Sequence, residues 1–230
     1  MTHENPLKEE TMLVRSRRLW VVAGLLAVLS ASGLFATVFA ADEDRDPVQE
    51  EKELREQLAK SPNDPELHFK LGNALYDQGK RPEAQAEFEN AITLKPDHVK
   101  ALVNLGVVMN ENGYSEEALP YFDRAIALAP KDITVLCNKG QALYALRQYP
   151  KAIALYQESI RLEPRNQLPH YLLGVAFADA GIYREAIEEW RRVVEIDPRS
   201  EAGITAAEGI KVLQELLPQT GQAQEPAKAK

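Results

Sequence analysis

Glycines at 72, 106, 140 and 174 stand 34 residues apart, and three other positions keep the same step. They are Ala84, Ala118, Ala152 and Ala186, then Phe88, Phe122, Tyr156 and Trp190, then Pro96, Pro130, Pro164 and Pro198. No insertion or deletion breaks the register. A fixed period of this length rules out a single closed core, because each unit is too short to bury its own apolar face and must stack on its neighbours. The chain reads as a solenoid.

The residue types say what each unit contains. A glycine inside a helix costs roughly 1 kcal/mol against alanine, so its return at one phase marks a place where a second helix comes close. The alanine of the second helix and the aromatic four residues later share a face, which places the ring between the two helices and the first helix of the next unit. The closing proline cannot continue a helix. The spacing therefore predicts pairs of antiparallel helices, A and B, in residues 65–98, 99–132, 133–166 and 167–200. Asp64, Asp97, Asp132 and Asn166 are expected to cap the A helices, and Ser115 helix B of the second unit. Pro82 and Pro150 fall in the first turns of their B helices.

At the front, residues 42–64 hold a short acidic stalk and a helix from about Val48 to Lys60, begun by Asp46-Pro47. Leu54, Leu58 and Pro62 each precede Phe88, Ile92 and Pro96 by one period, so this helix reads as the B half of a degenerate leading unit. At the other end, residues 201–217 have the phase of one more A helix, with Glu208 where the pattern has glycine. Both are expected to cap the stack. Residues 218–230 are polar and small and are expected to be disordered. The third unit departs most from the pattern: Lys139 replaces Leu71, Leu105 and Leu173, and Arg147 replaces the turn glycines Gly79, Gly113 and Gly181. It is expected to be the softest.

A 34-residue period with Leu-Gly pairs such as Leu71-Gly72 and Leu105-Gly106, an alanine followed four residues later by an aromatic, and a closing proline resembles the tetratricopeptide repeat (TPR) family. The resemblance implies an all-α TPR solenoid, a right-handed superhelix of antiparallel helix pairs, acting as a non-enzymatic protein-protein interaction scaffold. It also implies that partners bind as extended peptides or helices on a concave face lined by A helices. Mapped onto this chain, that face takes Phe69, Asn73 and Tyr76, then Val103, Val107 and Asn110. The third unit adds Cys137, Gln141 and Tyr144, and the fourth Tyr171, Val175 and Ala178. Such a face is aromatic, aliphatic and amide with almost no charge, as interface cores are. Tyrosine and phenylalanine would anchor a peptide while Asn and Gln satisfy its amides. The family's clamp for acidic chaperone tails needs basic residues where Phe69, Thr134 and Asn138 stand, so that partner is not expected, although Asn73 and Asn104 match its amides.

Charge and motif content exclude other classes. Residues 42–230 hold 23 of the 27 Lys and Arg but 32 of the 35 Asp and Glu, the wrong sign for displacing phosphate counterions. No phosphate-cradling glycine loop, nucleophile elbow or paired Cys/His spacing occurs, so neither catalysis nor a cofactor or metal is expected. His68 and His170 share one phase three units apart, cannot reach one metal, and read as core side chains facing their own B helices. His98, in a loop, and His3 read as solvated. Cys137, the one cysteine, cannot form an intramolecular disulfide and reads as a small core residue.

Leu19 to Ala41 contains no charged residue, and its roughly 34 Å of helix suffices for a ~30 Å hydrocarbon layer. Arg15, Arg17 and Arg18 precede it and Asp42, Glu43, Asp44 and Asp46 follow, which predicts a transmembrane helix with residues 1–18 in the cytoplasm and the repeats across the membrane. Two readings compete here. The run and its charged leader are long for a signal peptide, which favours a retained anchor in the inner membrane. Val38-Phe39-Ala40 before Ala41 has the small residues of a cleavage site, which would release a soluble periplasmic or lumenal adaptor. Small residues at Ala23, Ala27 and Ala31, and at Ser32, Ala36 and Ala40, offer a homodimer contact within the span. The whole resembles anchored bacterial TPR proteins that bind clients in protein export or complex assembly.

Overall fold

The computed structural model describes residues 46–217, which form ten α-helices and no strand. In chain order these are α1 (Pro47–Leu58), α2 (Pro65–Asp77), α3 (Arg81–Leu94), α4 (Val99–Glu111) and α5 (Ser115–Leu128). They continue as α6 (Ile133–Ala145), α7 (Tyr149–Leu162), α8 (Gln167–Asp179), α9 (Tyr183–Ile196) and α10 (Glu201–Leu216). Each helix packs on its chain neighbours. The A helices α4, α6, α8 and α10 also touch one another in sequence, so they form one continuous row.

Glycine and aromatic ring make the close approach in every unit. A Cβ built on Gly72 would lie 2.5 Å from the Phe88 ring and one on Gly106 2.7 Å from Phe122; Tyr156 over Gly140 and Trp190 over Gly174 are tighter still. Burying a whole ring outweighs the glycine's cost in helix propensity. Trp190 is large enough to need glycine on two sides: a Cβ on Gly209 of α10 would also lie 2.5 Å from it. Helix α10 thus keeps the contact one residue beyond Glu208, where the register of the sequence lapses.

The caps follow side-chain chemistry. Asp64, Asp132 and Asn166 accept the backbone N–H of Glu66, Thr134 and Leu168 at 2.9, 2.9 and 3.1 Å. In the second unit the cap is His98 and not Asp97: its Nδ1 accepts from the Ala101 N–H at 3.3 Å. His98 is also buried, its ring centroid 4.9 Å from that of Phe69, because the aromatic at 69 covers it. The expectation of a solvated loop histidine is corrected. Ser115 is the first residue of α5 and does not cap it; its hydroxyl donates to Asn110 Oδ1 at 2.7 Å.

The A-to-B turns require the left-handed region at Gly79 (φ 73°), Gly113 (φ 86°) and Gly181 (φ 76°), and Arg147 adopts it too (φ 57°). A side chain there costs about 1 kcal/mol, a physical basis for a weaker third unit. At the front, Glu51 of α1 accepts hydrogen bonds from Lys80 Nζ at 2.7 Å, Gln78 Nε2 at 3.0 Å and Arg55 Nε at 2.9 Å. The Lys80 bond above all holds its carboxyl down to about 2.

The apolar run 19–41, the segment before it and the tail 218–230 lie outside the described residues. Among the described residues no helix is long and apolar enough to cross a membrane.

Candidate protein-binding face

The structure divides the residues mapped onto the A-helix face into two groups. Phe69, Val103, Val107, Cys137, Tyr171 and Ala178 are buried by the chain's own packing. Phe69 and Cys137 turn toward the B helices of their own units. Phe69 lies 6.1 Å from the Phe88 ring centroid. Cys137 is the small core residue expected of a lone cysteine and not part of the face: it is 0% exposed, its thiol donates to Ser159 Oγ at 3.6 Å, and burial pushes it up to about 11. Asn73, Tyr76, Asn110, Gln141, Tyr144 and Val175 remain half-buried.

Hydrogen bonds between successive A helices organise this second group. Tyr76 O–H donates to Glu111 Oε1 at 2.6 Å, and Tyr144 O–H to Asp179 Oδ2 at 3.0 Å, each acceptor 35 residues further on. Burial first, then the carboxylate, pushes both phenols well above their ordinary range, so both stay protonated donors. Arg81 closes the first contact, its Nε 3.2 Å from Glu111 Oε2 and its guanidinium 5.9 Å from the Tyr76 ring centroid. Two repeats on, Tyr149 takes the place of Arg81 and meets the Tyr144 ring edge-on at 5.3 Å. Asn104 Nδ2 donates to Asn73 Oδ1 at 2.8 Å.

The face is consequently more acidic than the sequence mapping implied. Asp77, Glu111 and Asp179 share one phase immediately after the tyrosine positions, and that repetition could have flagged them. Asp77 is raised by burial and by Glu50.

His68 and His170 do face their own B helices, each fully engaged. Nδ1 lies 2.6 Å from Glu87 and Glu189 respectively, and Nε2 3.0 Å from the carbonyls of Pro62 and Pro164. The Glu189 hydrogen bond raises the His170 pKa. Among the described residues no group of His, Cys, Asp and Glu could hold a metal ion.

Stacked helix pairs that expose one row of A helices define a helical repeat protein. The tetratricopeptide repeat model matches residues 69–133 and 137–201, more than half of the chain, and the chain belongs to that family. Among solved structures it is similar to MamA (residues 41 to the end) from Desulfovibrio magneticus RS-1, at 26% identity over 67% of this chain and 88% of that one, TM-score 0.61. TTC0263, a thermophilic TPR protein of Thermus thermophilus, is 18% identical over 70% and 89%, TM-score 0.62. YrrB, described as a TPR protein with an unusual peptide-binding site, is 21% identical over 70% and 85%, TM-score 0.57. The last two likenesses concern the fold alone. No curated protein matches the chain significantly. Proteins of this family generally serve as non-enzymatic scaffolds for protein-protein interaction.

Proposed function

We propose that this protein is a membrane-anchored scaffold that binds protein or peptide clients along its A-helix face, on the far side of the cytoplasmic membrane, during complex assembly or export. The repeated bond from tyrosine to the carboxylate of the next A helix, Tyr76 to Glu111 and Tyr144 to Asp179, carries the client-binding part. It fixes two aromatic side chains in place before any client arrives, which lowers the ordering cost of binding. Asn73 and Gln141 stay half-buried beside them, in reach of peptide groups. The carboxylates favour a client that brings N–H donors or positive charge. YrrB, with a peptide site on the same fold, supports the class of ligand.

The anchor rests on the uncharged run 19–41 and the arginines before it. Val38-Phe39-Ala40-Ala41 favours the second reading, release after Ala40. N-terminal sequencing of the protein from cells separates them, since release predicts a chain beginning at Ala41. For client binding, a photo-reactive residue at Gln141 in the cell should give a discrete crosslinked partner that an Asn73→Ala, Tyr144→Ala variant loses. Crosslinks that persist unchanged in that variant would refute the A-helix face.

A further inference from the structure

A groove of about 360 Å³ opens where α7, α8 and α9 meet, a site apart from the tyrosine-lined face. Ile160, Leu173 and Phe177 form its apolar floor, and α9 adds Glu185, Glu188 and Glu189 along one wall. Glu189 is engaged by His170, and Arg161 on the opposite wall pairs with Glu158. Glu185 and Glu188 are exposed and have no side-chain partner among the described residues. Three residues apart on a helix, they share a face. The groove thus combines hydrocarbon below with two uncompensated carboxylates beside it.

The preceding junction of the stack shows what such a place accommodates. There Lys139 occupies the position of Leu173 and reaches Asp123, which occupies that of Gln157, at 2.5 Å. The chain supplies its own cation between α5 and α6. At the next junction the lysine has become leucine, and the negative charge has moved to α9, where the third repeat carries Lys151 and Ala154 instead of Glu185 and Glu188. Among the described residues no cation forms an ion pair with Glu185 or Glu188, the Arg161 of the opposite wall being paired with Glu158.

We propose that this groove docks a basic side chain, arginine in preference to lysine, presented by an apolar-flanked segment of a partner protein. An arginine stem would cover Leu173 and Phe177, while its planar fork bridges the two carboxylates in a way that the lysine point charge cannot. The groove and the A-helix face then bind separate partners at once.

The test is fluorescence anisotropy of the full-length chain in mild non-ionic detergent with a labelled amphipathic peptide that sets arginine beside leucine. Its citrulline counterpart, which keeps the stem and the planar head but not the charge, is the control. Binding that weakens about tenfold both with citrulline and in the Glu185→Gln, Glu188→Gln variant, yet survives Asn73→Ala, Tyr144→Ala, is expected. Equal binding of the citrulline peptide, or loss only in the Asn73, Tyr144 variant, overturns the proposal. So does a higher peptide affinity of the Lys228→Ala, Lys230→Ala variant than of the native protein, which would mean that the chain's own tail is the occupant.

Discussion

Repeats 1 and 4 fasten helix A to helix B with His68–Glu87 and His170–Glu189, whereas repeats 2 and 3 fill the same two positions with Leu102–Tyr121 and Leu136–Leu155. On the A side of the inner joints Leu102 is 0% and Leu136 4% exposed, while their B-side partners Tyr121 and Leu155 are half-buried. The outer ones keep some contact with water, the carboxylates of Glu87 and Glu189 being 19% and 25% exposed. A charged pair tolerates that setting, while a sealed joint would make it costly. The period fixes where a joint falls and leaves its chemistry, charged or apolar, to the individual unit. One step further, Ile204 of α10 holds the same position without a following B helix among the described residues, and it is 53% exposed.

The shared frame predicts the largest effects. Trp190→Ala in an outer repeat and Phe122→Ala in an inner one should each cost about 3–5 kcal/mol in urea denaturation. A loss under about 1 kcal/mol at either site would show that the two kinds of repeat do not share one frame. Next, Glu189→Leu alone strands His170 and should cost about 1–3 kcal/mol. Adding His170→Leu turns the outer joint into an inner one and should return stability to within about 1 kcal/mol of native, as replacement of a buried pair by hydrocarbon often does. Failure of the double variant to recover would mean that the outer joints need their polarity.

The same pair gives a pH dependence. The His170 pKa is raised above its ordinary 6.5, so its contribution is complete below that value and is lost as pH rises through the folded-state value. Thermal melts from about pH 5.5 to about pH 9 should show the native chain falling relative to the His170→Leu, Glu189→Leu variant; parallel curves would oppose the clamp. The smallest effect concerns the third repeat. Arg147→Gly should stabilise the chain by about 0.5–1 kcal/mol, and Gly113→Ala should cost a similar amount in the second repeat.

Much of the architecture was legible because it repeats. Four identical phases disclosed the glycine-aromatic contact that the structure shows at Gly72, Gly106, Gly140 and Gly174. What escaped was whatever a single unit does alone. His98 replaces Asp97 as a cap because Phe69 shelters it, and Gly209 works one residue out of register because Trp190 is wider than phenylalanine. The binding face was less legible still. Its mapping placed Val103, Cys137 and Tyr171 on the face, whereas the chain's own packing buries all three, Cys137 against Ser159 of its own B helix. Glu111 and Asp179 were missed because their role depends on the tyrosine of the preceding unit.

Nitrogen-15 NMR of the His170 ring as a function of pH tests the contrast between the two kinds of joint most directly. With Glu189 on one nitrogen and the Pro164 carbonyl on the other, both nitrogens must donate. The ring is predicted to carry both protons at pH 6.5 in most molecules and to titrate above that value. A half-titration below 6.5, or one neutral tautomer throughout, would contradict the charged clamp and leave His170 as an apolar filler like Leu102 and Leu136.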